Sequence, residues 1–432
     1  MAVMQKTNNY RRVKHDTASQ PWERMIALID MNAFFASIEK LDFPKLRDLP
    51  VGVTNGLMGT TIITSCYMAR EKGIKLGTKV YDAKRLAPDF VQRASRPERY
   101  AQVSRKIMKA LQQVTPEIEI FSVDEAFLDL TQCQRLYGSP EKVVQKIKEV
   151  MREATNGLPF SIGLSGDKTT AKFAAKRGGM NSVSIIHPDD AEAALANAPV
   201  TAICGINKGI ARHLQARGVT TCGQMKRLPI SEMRRWGNIG RRLWLACQGK
   251  DPAKIENDIA DPKSLGHGKV LPPHTNDETT LHIFLSHMAH KVAARLRRNK
   301  LKAKNYSIGM RASDGVNKFW IGGNFQVVST NDAQPLLKIC RDLVEQRWTN
   351  EIISHVHITA LDPEPLHGQM DMFFSPTEED ARKEHENQVI DAINDRYGEF
   401  TIASAPMVNR TKMPNVISPA WKPMKARDYA MV

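Results

Sequence analysis

The first sharp change of pattern comes at Met25. Residues 1–24 are polar and basic, as in a loose arm. Met25-Ile26-Ala27-Leu28-Ile29 is then a continuous apolar run that stops at Asp30, short enough for a strand buried on both faces. Beyond the stop, Phe34, Phe35, Ile38 and Leu41 recur at helical spacing. Short helices are predicted over residues 60–70 and 78–88, around a basic segment containing glycine, and a longer one over 98–114. Residues 117–123 (EIEIFSV) alternate apolar and polar positions like a half-buried strand, and residues 126–130 (AFLDL) predict a second. A basic amphipathic helix over 139–154 and a strand over 160–164 follow. Strands mixed with crossing helices predict an α+β core.

From residue 187 the pattern turns to short helices punctuated by glycine, and Pro252 and Asp261-Pro262 mark a linker over 253–265. Strands and helices return up to residue 362. Residues 363–432 are polar and proline-rich, with one predicted helix over 377–397. There is no internal repeat.

Composition narrows the function classes. A chain of 432 residues with 42% hydrophobic and 25% charged positions builds a packed core in two to four domains, which excludes wholesale disorder. The formal net charge of +16 calls for a polyanionic partner, of which nucleic acid is the commonest, or else marks a generally basic surface. Cys66, Cys133, Cys204, Cys222, Cys247 and Cys340 are scattered without CxxC spacing, which argues against a zinc site and suits a reducing compartment. No apolar run is long enough to span a membrane, and the opening residues lack the apolar core of a signal peptide, so a cytoplasmic location is expected.

The candidate chemistry is acidic. Asp30 closes a buried strand, and Asp124 and Glu125 sit between two strands. Charges at the ends of apolar strands are costly unless paired or bound to a cation. If these strands are neighbours in one sheet, the carboxylates converge, and divalent cations relieve their repulsion. Two Mg²⁺ ions about 4 Å apart serve in-line phosphoryl transfer and prefer such hard oxygen ligands. An acidic hairpin turn, with Asp30 as a helix N-cap, explains the same residues equally well.

The surrounding residues carry a resemblance. Asp30-Met31-Asn32-Ala33-Phe34-Phe35-Ala36-Ser37-Ile38-Glu39 and Ser122-Val123-Asp124-Glu125-Ala126-Phe127-Leu128-Asp129 resemble the first and second motifs of Y-family DNA polymerases. Between them, Thr64-Ser65-Cys66-Tyr67-Met68-Ala69-Arg70 with Gly73-Ile74-Lys75-Leu76-Gly77 resembles a third family stretch. Order and spacing fit over residues 25–362, in the manner of the bacterial polymerase IV and V branch. The resemblance implies a right-hand α+β polymerase. A ferredoxin-like palm would take residues 25–33 and 97–186, small fingers 34–96, and a helical thumb with a helix-hairpin-helix 187–252. After the linker would come an α+β little finger over 266–362 and a clamp-binding tail over 363–432.

The implied activity is low-fidelity, template-directed lesion bypass, adding dNTPs to a primer 3′-hydroxyl. Asp30, Asp124 and Glu125 would be the catalytic metal ligands, joined by the Met31 carbonyl, for two Mg²⁺ ions or Mn²⁺ in their place. Asn32 stands where many relatives have a second Asp, and Asn is a family alternative. Phe35 takes the position of the steric gate that excludes a 2′-hydroxyl. Phe34 beside it belongs to the nucleotide-binding set but is the better core candidate. Thr64, Tyr67 and Arg70 fall at i, i+3 and i+6 and are expected to share a helix face. Their hydroxyls and guanidinium suit phosphate oxygens, and the resemblance assigns them to the β- and γ-phosphates. Plain core packing for Phe35 and a solvated face for the others are the alternatives. One departure stands out: relatives usually carry a Lys-Pro step where this chain has Gly179-Met180, so that either Lys176 or Arg177 reaches the triphosphate instead or the contact is lost.

Gly205-Ile206-Asn207-Lys208 looks like a helix-hairpin-helix turn, with Asn207 in place of a second glycine because it tolerates the left-handed conformation. Arg295, Arg297, Arg298, Lys300, Lys302 and Lys304 crowd one segment and are expected to line duplex phosphates without reading sequence, the alternative being a solvated face. Gln369-Met370-Asp371-Met372-Phe373 looks like a sliding-clamp peptide of the Gln-x-x-Leu-Phe kind. The implied partners are primer–template DNA, dNTP and a β-type clamp at the nucleoid, with room for an accessory SOS-type subunit and no membrane. A catalytically weak clamp- and DNA-binding accessory protein of the same fold competes; the three carboxylates argue against it. The thumb, the basic segment and the clamp-like peptide argue against another palm-type enzyme such as a cyclase.

Overall fold

A strand without a polar side chain until its end can be buried on both faces, and β1 (Ile26–Met31) is. Ile26 and Leu28 pack with Ala171 and Ala175, while Ala27, Ile29 and Met31 join Ile107, Val143 and Ile147 in a separate cluster. These packings come from a computed structural model, which describes residues 21–57, 59–257, 262–366 and 378–407. The chain divides into two compact units at Ala260, each described by itself.

In the first unit, β1 is followed by α1 (Phe34–Asp42), β2 (Val51–Thr54), β3 (Ile62–Ser65), α2 (Tyr67–Glu71), α3 (Val80–Leu86) and β4 (Val91–Ala94). Next come α4 (Pro97–Leu111), β5 (Ile118–Ile120), β6 (Glu125–Asp129), α5 (Gln134–Tyr137) and α6 (Pro140–Thr155). The sheet region ends with β7 (Phe160–Ser165), α7 (Lys168–Arg177) and β8 (Val183–Ile185). The main sheet has the order β5-β6-β1-β7-β8, so β1 lies between its two antiparallel neighbours β6 and β7. Helices α4 and α6 bury one stripe each: Tyr100, Val103, Ser104, Ile107 and Leu111 on α4, Val143, Val144, Ile147, Val150 and Met151 on α6. Asp167 starts α7, its carboxylate accepting from the Thr170 N–H at 2.9 Å.

The other side of the main sheet admits α7 only because β7 has a glycine beneath it. A Cβ on Gly163 would lie 2.0 Å from the Ala171 carbonyl oxygen and 2.4 Å from the Ala175 nitrogen. Gly163→Ala is therefore expected to lift α7 off the sheet and cost about 3 kcal/mol. Thermal unfolding checks this; an unchanged melting temperature would contradict the close approach.

One predicted element is corrected. Residues 60–70 are not a helix: Ile62–Ser65 is a strand, antiparallel to β2, and only Tyr67–Glu71 is helical. β2 and β4 complete a small sheet of order β3-β2-β4. The run Ile62-Ile63-Thr64 is β-branched and prefers the pleated conformation once a partner strand exists. The predicted strand over 117–123 also shortens to Ile118–Ile120, because the chain turns at Phe121.

Four short helices follow: α8 (Ala191–Leu195), α9 (Lys208–Gln215), α10 (Cys222–Met225) and α11 (Gly237–Ala246), around Leu195, Ile203, Leu214, Met225 and Leu243. In the second unit, β9 (Ser264–Val270), α12 (Glu278–Arg298), β10 (Leu301–Ser313), β11 (Lys318–Thr330), α13 (Gln334–Arg347), β12 (Ile352–Leu361) and β13 (Glu364–Pro365) precede α14 (Glu378–Tyr397). Its sheet runs β11-β10-β12-β9, with β13 pairing β10. α12 and α13 pack on it through Leu281, Leu285, Val292, Leu336 and Leu343.

Candidate active site

Strand register decides which carboxylates meet. β1 and β6 are antiparallel, and Asp30 lies opposite Glu125. One step further, the Met31 N–H donates to the Asp124 carbonyl at 2.9 Å. The β5–β6 hairpin is closed by the N–H groups of Phe121 and Ser122, both donating to the Glu125 carbonyl at 3.0 and 3.1 Å, which leaves Ser122, Val123 and Asp124 at the tip. Asp30 is not a helix N-cap: α1 begins after Ala33, a left-handed residue at φ 48° with no side-chain cap. The helix-cap alternative thus falls away.

The acidic side chains are not equivalent. Burial, then the hydrogen bond and negative charge of Glu125, pushes the Asp30 carboxyl well above the usual carboxylate range. Burial alone would raise Glu125 too, but Lys172, the bond from Asp30 and Lys176 hold it low. The two facing carboxyls are thus pushed in opposite directions, Asp30 up and Glu125 down. Asp124 is raised by burial, against the Ser122 hydroxyl that donates to it at 2.6 Å.

Two ammonium groups from α7 face this pair. Lys172 Nζ lies 2.6 Å from Glu125 Oε2, and Lys176 Nζ lies 3.1 Å from Glu125 Oε1 and 3.8 Å from Asp30 Oδ2. Lys168, one turn earlier, pairs with Glu119 at 2.6 Å. Sequence reasoning singled out Lys176 and missed Lys172. The signal was present: Lys168, Lys172 and Lys176 recur every fourth residue, one face of a helix.

Asp30 and Glu125, facing each other across β1 and β6, offer hard carboxylate oxygens of the kind a divalent cation takes. As the side chains stand, no three Asp, Glu, His or Cys residues among the described residues converge on one metal position. The ammonium groups supply the counter-charge instead.

Around the carboxylates the sequence-predicted residues separate. Phe35 is half-buried and stacks on Tyr100, with ring centroids 4.4 Å apart and planes 18° apart. The Tyr100 hydroxyl donates to the buried Glu39 at 2.9 Å. Phe34 is only 2% exposed, and its ring packs in the core. Thr64 is on β3 and so shares no helix face with Tyr67 and Arg70, a correction to their even spacing. On α2, the Arg70 guanidinium lies over the Tyr67 ring at 4.9 Å and donates to the Ser65 carbonyl at 3.0 Å.

In the expected hairpin turn, Gly205 has φ 104°. Asn207 is not left-handed, at φ −80°; it caps α9, its side-chain oxygen accepting from the N–H groups of Gly209 and Ile210 at 2.9 and 3.0 Å. Lys208 is exposed at the first position of α9.

The basic segment of the second unit is also partly corrected. Arg297 makes a two-pronged pair with Asp391 of α14 at 2.6 and 2.8 Å and donates to the Asn331 carbonyl. Arg298 pairs with Asp395 at 2.7 Å, and Arg295 donates to the Gly266 carbonyl at 2.6 Å. Acidic groups far along the chain thus take up arginines expected on a phosphate-facing surface. Lys300 and Lys304 are exposed and Lys302 is half-buried. Gln369, Met370, Asp371, Met372 and Phe373 lie outside the described residues. No helix among the described residues is long and apolar enough to cross a membrane.

A buried sheet with paired carboxylates where its central strands β1 and β6 meet, and a small three-stranded sheet in the same unit, are the arrangement of a nucleotidyl-transferring polymerase. Comparison with known proteins agrees. Residues 29–176 match the impB/mucB/samB family, and residues 262–372 match the C-terminal domain of that family. The chain is 31% identical over 321 residues to DNA polymerase IV of Brucella melitensis biotype 1, covering 72% of this chain and 71% of the relative. It is 27% identical over 398 residues to DNA polymerase IV 2 of Bacillus subtilis strain 168, covering 89% and 94%. DNA polymerase IV of Moorella thermoacetica is 28% identical, with 88% and 95% covered. The chain belongs to the impB/mucB/samB family, the Y-family of translesion DNA polymerases. Its substrates are accordingly DNA and dNTPs, and its relatives generally use a divalent metal.

Proposed function

We propose that this chain extends a primer by attack of its 3′-hydroxyl on the α-phosphate of a template-paired dNTP, with Asp30, Asp124 and Glu125 and the Met31 carbonyl as metal ligands. The observation that carries the proposal is the register that sets Asp30 against Glu125 with a shared hydrogen bond. Magnesium, or manganese in its place, would supply charge neutralisation and an acidified primer hydroxyl when bound. The chain's own part is positioning and electrostatics. Phe35, braced by Tyr100, lies under the sugar, while Tyr67, Arg70 and Thr64 address the terminal phosphates. Lys176, half-exposed and next to the carboxylates, stands in for the lysine that Gly179 replaces. The test is primer extension by the native chain and by the Asp124→Ala, Glu125→Ala variant; equal extension sinks the assignment.

Exposed Lys208, Lys300 and Lys304 would hold duplex phosphates, acting at the nucleoid in the cytoplasm. Asp391→Asn together with Asp395→Asn frees Arg297 and Arg298. The slope of log affinity for DNA against log salt should then steepen by about one for each freed arginine. An unchanged slope would mean those arginines have no route to DNA.

Residues 369–373 are proposed to dock on a β-type sliding clamp, Gln369 at the rim with Met372 and Phe373 in the pocket. Deleting them should reduce clamp-stimulated synthesis by at least about tenfold and spare clamp-free synthesis, since one peptide anchor carries most of such an interaction. Equal loss of both rates would point to misfolding instead.

A further inference from the structure

We infer that Asn32 is a positioning residue for the incoming nucleotide: it ties the end of β1 to the loop behind α7 and thereby aims Lys176. The inference rests on the polymerase function proposed above.

Asn32 is 5% exposed, and its hydrogen-bonding groups are spent on other things than a cation. Its side-chain amide donates to the Ser161 hydroxyl oxygen at 3.0 Å, and its Oδ1 accepts from the Asn181 N–H at 2.8 Å. Its own N–H donates to the Pro159 carbonyl at 2.8 Å. Ser161, 1% exposed, passes its proton on to the Gly179 carbonyl at 2.8 Å. The second amide hydrogen of Asn32 faces the Asp30 carbonyl at 3.5 Å, and the Ser182 N–H also donates to the Ser161 hydroxyl at 3.4 Å.

What the network holds is a tight loop. Gly179 and Asn181 both have positive φ, at 81° and 55°, and Asn181 accepts from the Phe160 N–H at 3.1 Å. A non-glycine residue in the left-handed region persists where its surroundings hold it there. Asn32, where many relatives have Asp, and Gly179, where they usually have Lys, therefore meet in one structural unit.

The loop matters because of what it terminates. Gly179 has no side chain to offer the triphosphate, and a Cβ there would face open space. The nearest cation upstream among the α7 lysines is Lys176, at the last turn of the helix, with its side chain 55% exposed. Its ammonium can exchange Glu125 for a phosphate oxygen without moving the backbone. Where it points depends on where α7 ends, and that end is held by Asn32 and Ser161 through the loop.

The test uses the full chain. Asn32→Ala should raise the KM for dNTP about tenfold, the worth of one buried hydrogen bond, with kcat within about twofold. Ser161→Ala should show the same split, which guards against a folding artefact in either variant. Lys176→Ala should raise KM similarly, and adding Asn32→Ala to it should change little further, because both act through one group. In DNA-free protein, Asn32→Ala should speed amide exchange at Asn181 by at least about tenfold. A changed divalent-metal dependence with unchanged KM would overturn the inference and make Asn32 part of the metal shell. Independent, multiplying effects of Asn32→Ala and Lys176→Ala would overturn it as well. If the native chain extends no primer, the polymerase assignment fails while amide exchange still judges the tie; if it extends and both KM and exchange ignore Asn32→Ala, only this inference fails.

Discussion

Asp124→Ala combined with Glu125→Ala is expected to lower primer extension by at least about 10³-fold, about 4 kcal/mol of transition-state stabilisation. The reason is electrostatic. Cations would meet the charge developing on the transferring phosphoryl group, and in the proposed site they would be held by carboxylates that the β1–β6 register sets face to face. Removing Glu125 also strips Lys172 of its carboxylate and leaves Lys176 only the longer contact with Asp30, so the variant tips the site toward positive charge. Asp30→Asn separates the two consequences. It should abolish extension as thoroughly, yet raise the melting temperature of metal-free protein, because it removes one of two carboxyls facing each other in a buried site that pushes Asp30 up. Each kcal/mol relieved is worth about 2–4 °C in a unit of this size. Extension at the native rate by either variant would discard the site.

Phe35→Ala is expected to reduce discrimination against ribonucleotides by about 10²-fold, what a shaped apolar surface gains by excluding one hydroxyl. The ring is held in place because Tyr100 stacks on it and is pinned in turn by Glu39, as a gate under the sugar would require. Glu39 is itself fully buried and paired with Arg93 and Arg96 at 2.9 and 2.8 Å. Phe34→Ala is the control. It removes a fully packed ring and should cost about 3–5 kcal/mol of stability, more than the half-buried Phe35, while leaving sugar choice alone. Incorporation ratios for matched dNTP and NTP check both variants. A ratio that ignores Phe35→Ala would make that ring ordinary packing.

Residues close in sequence were legible where one local pattern had one structural solution. The unbroken apolar run from Met25 to Ile29 has no polar face to expose, so it becomes a strand covered on both sides. The stripes of α4 and α6 likewise admit only one buried side. The helical spacing of Thr64, Tyr67 and Arg70 misled because it crosses a strand-to-helix junction, and only pairing with β2 reveals where the strand ends. Asn207 shows the same limit: its tolerance of a left-handed backbone is real, but here the free N–H groups of α9 recruit it as a cap.

The sequence alone determined the motif carboxylates, the basic balance and the polymerase family they resemble, since those depend on residue type and order. The tertiary structure decided that Asp30 meets Glu125, that Lys172 joins Lys176 beside them, that Asn32 holds the loop at Gly179, and that Asp391 and Asp395 claim Arg297 and Arg298. The physical reason is range. Propensity and periodicity act over a few residues, whereas a hydrogen bond or ion pair across strands or between helices depends on a register and a docking that no local stretch of chain encodes.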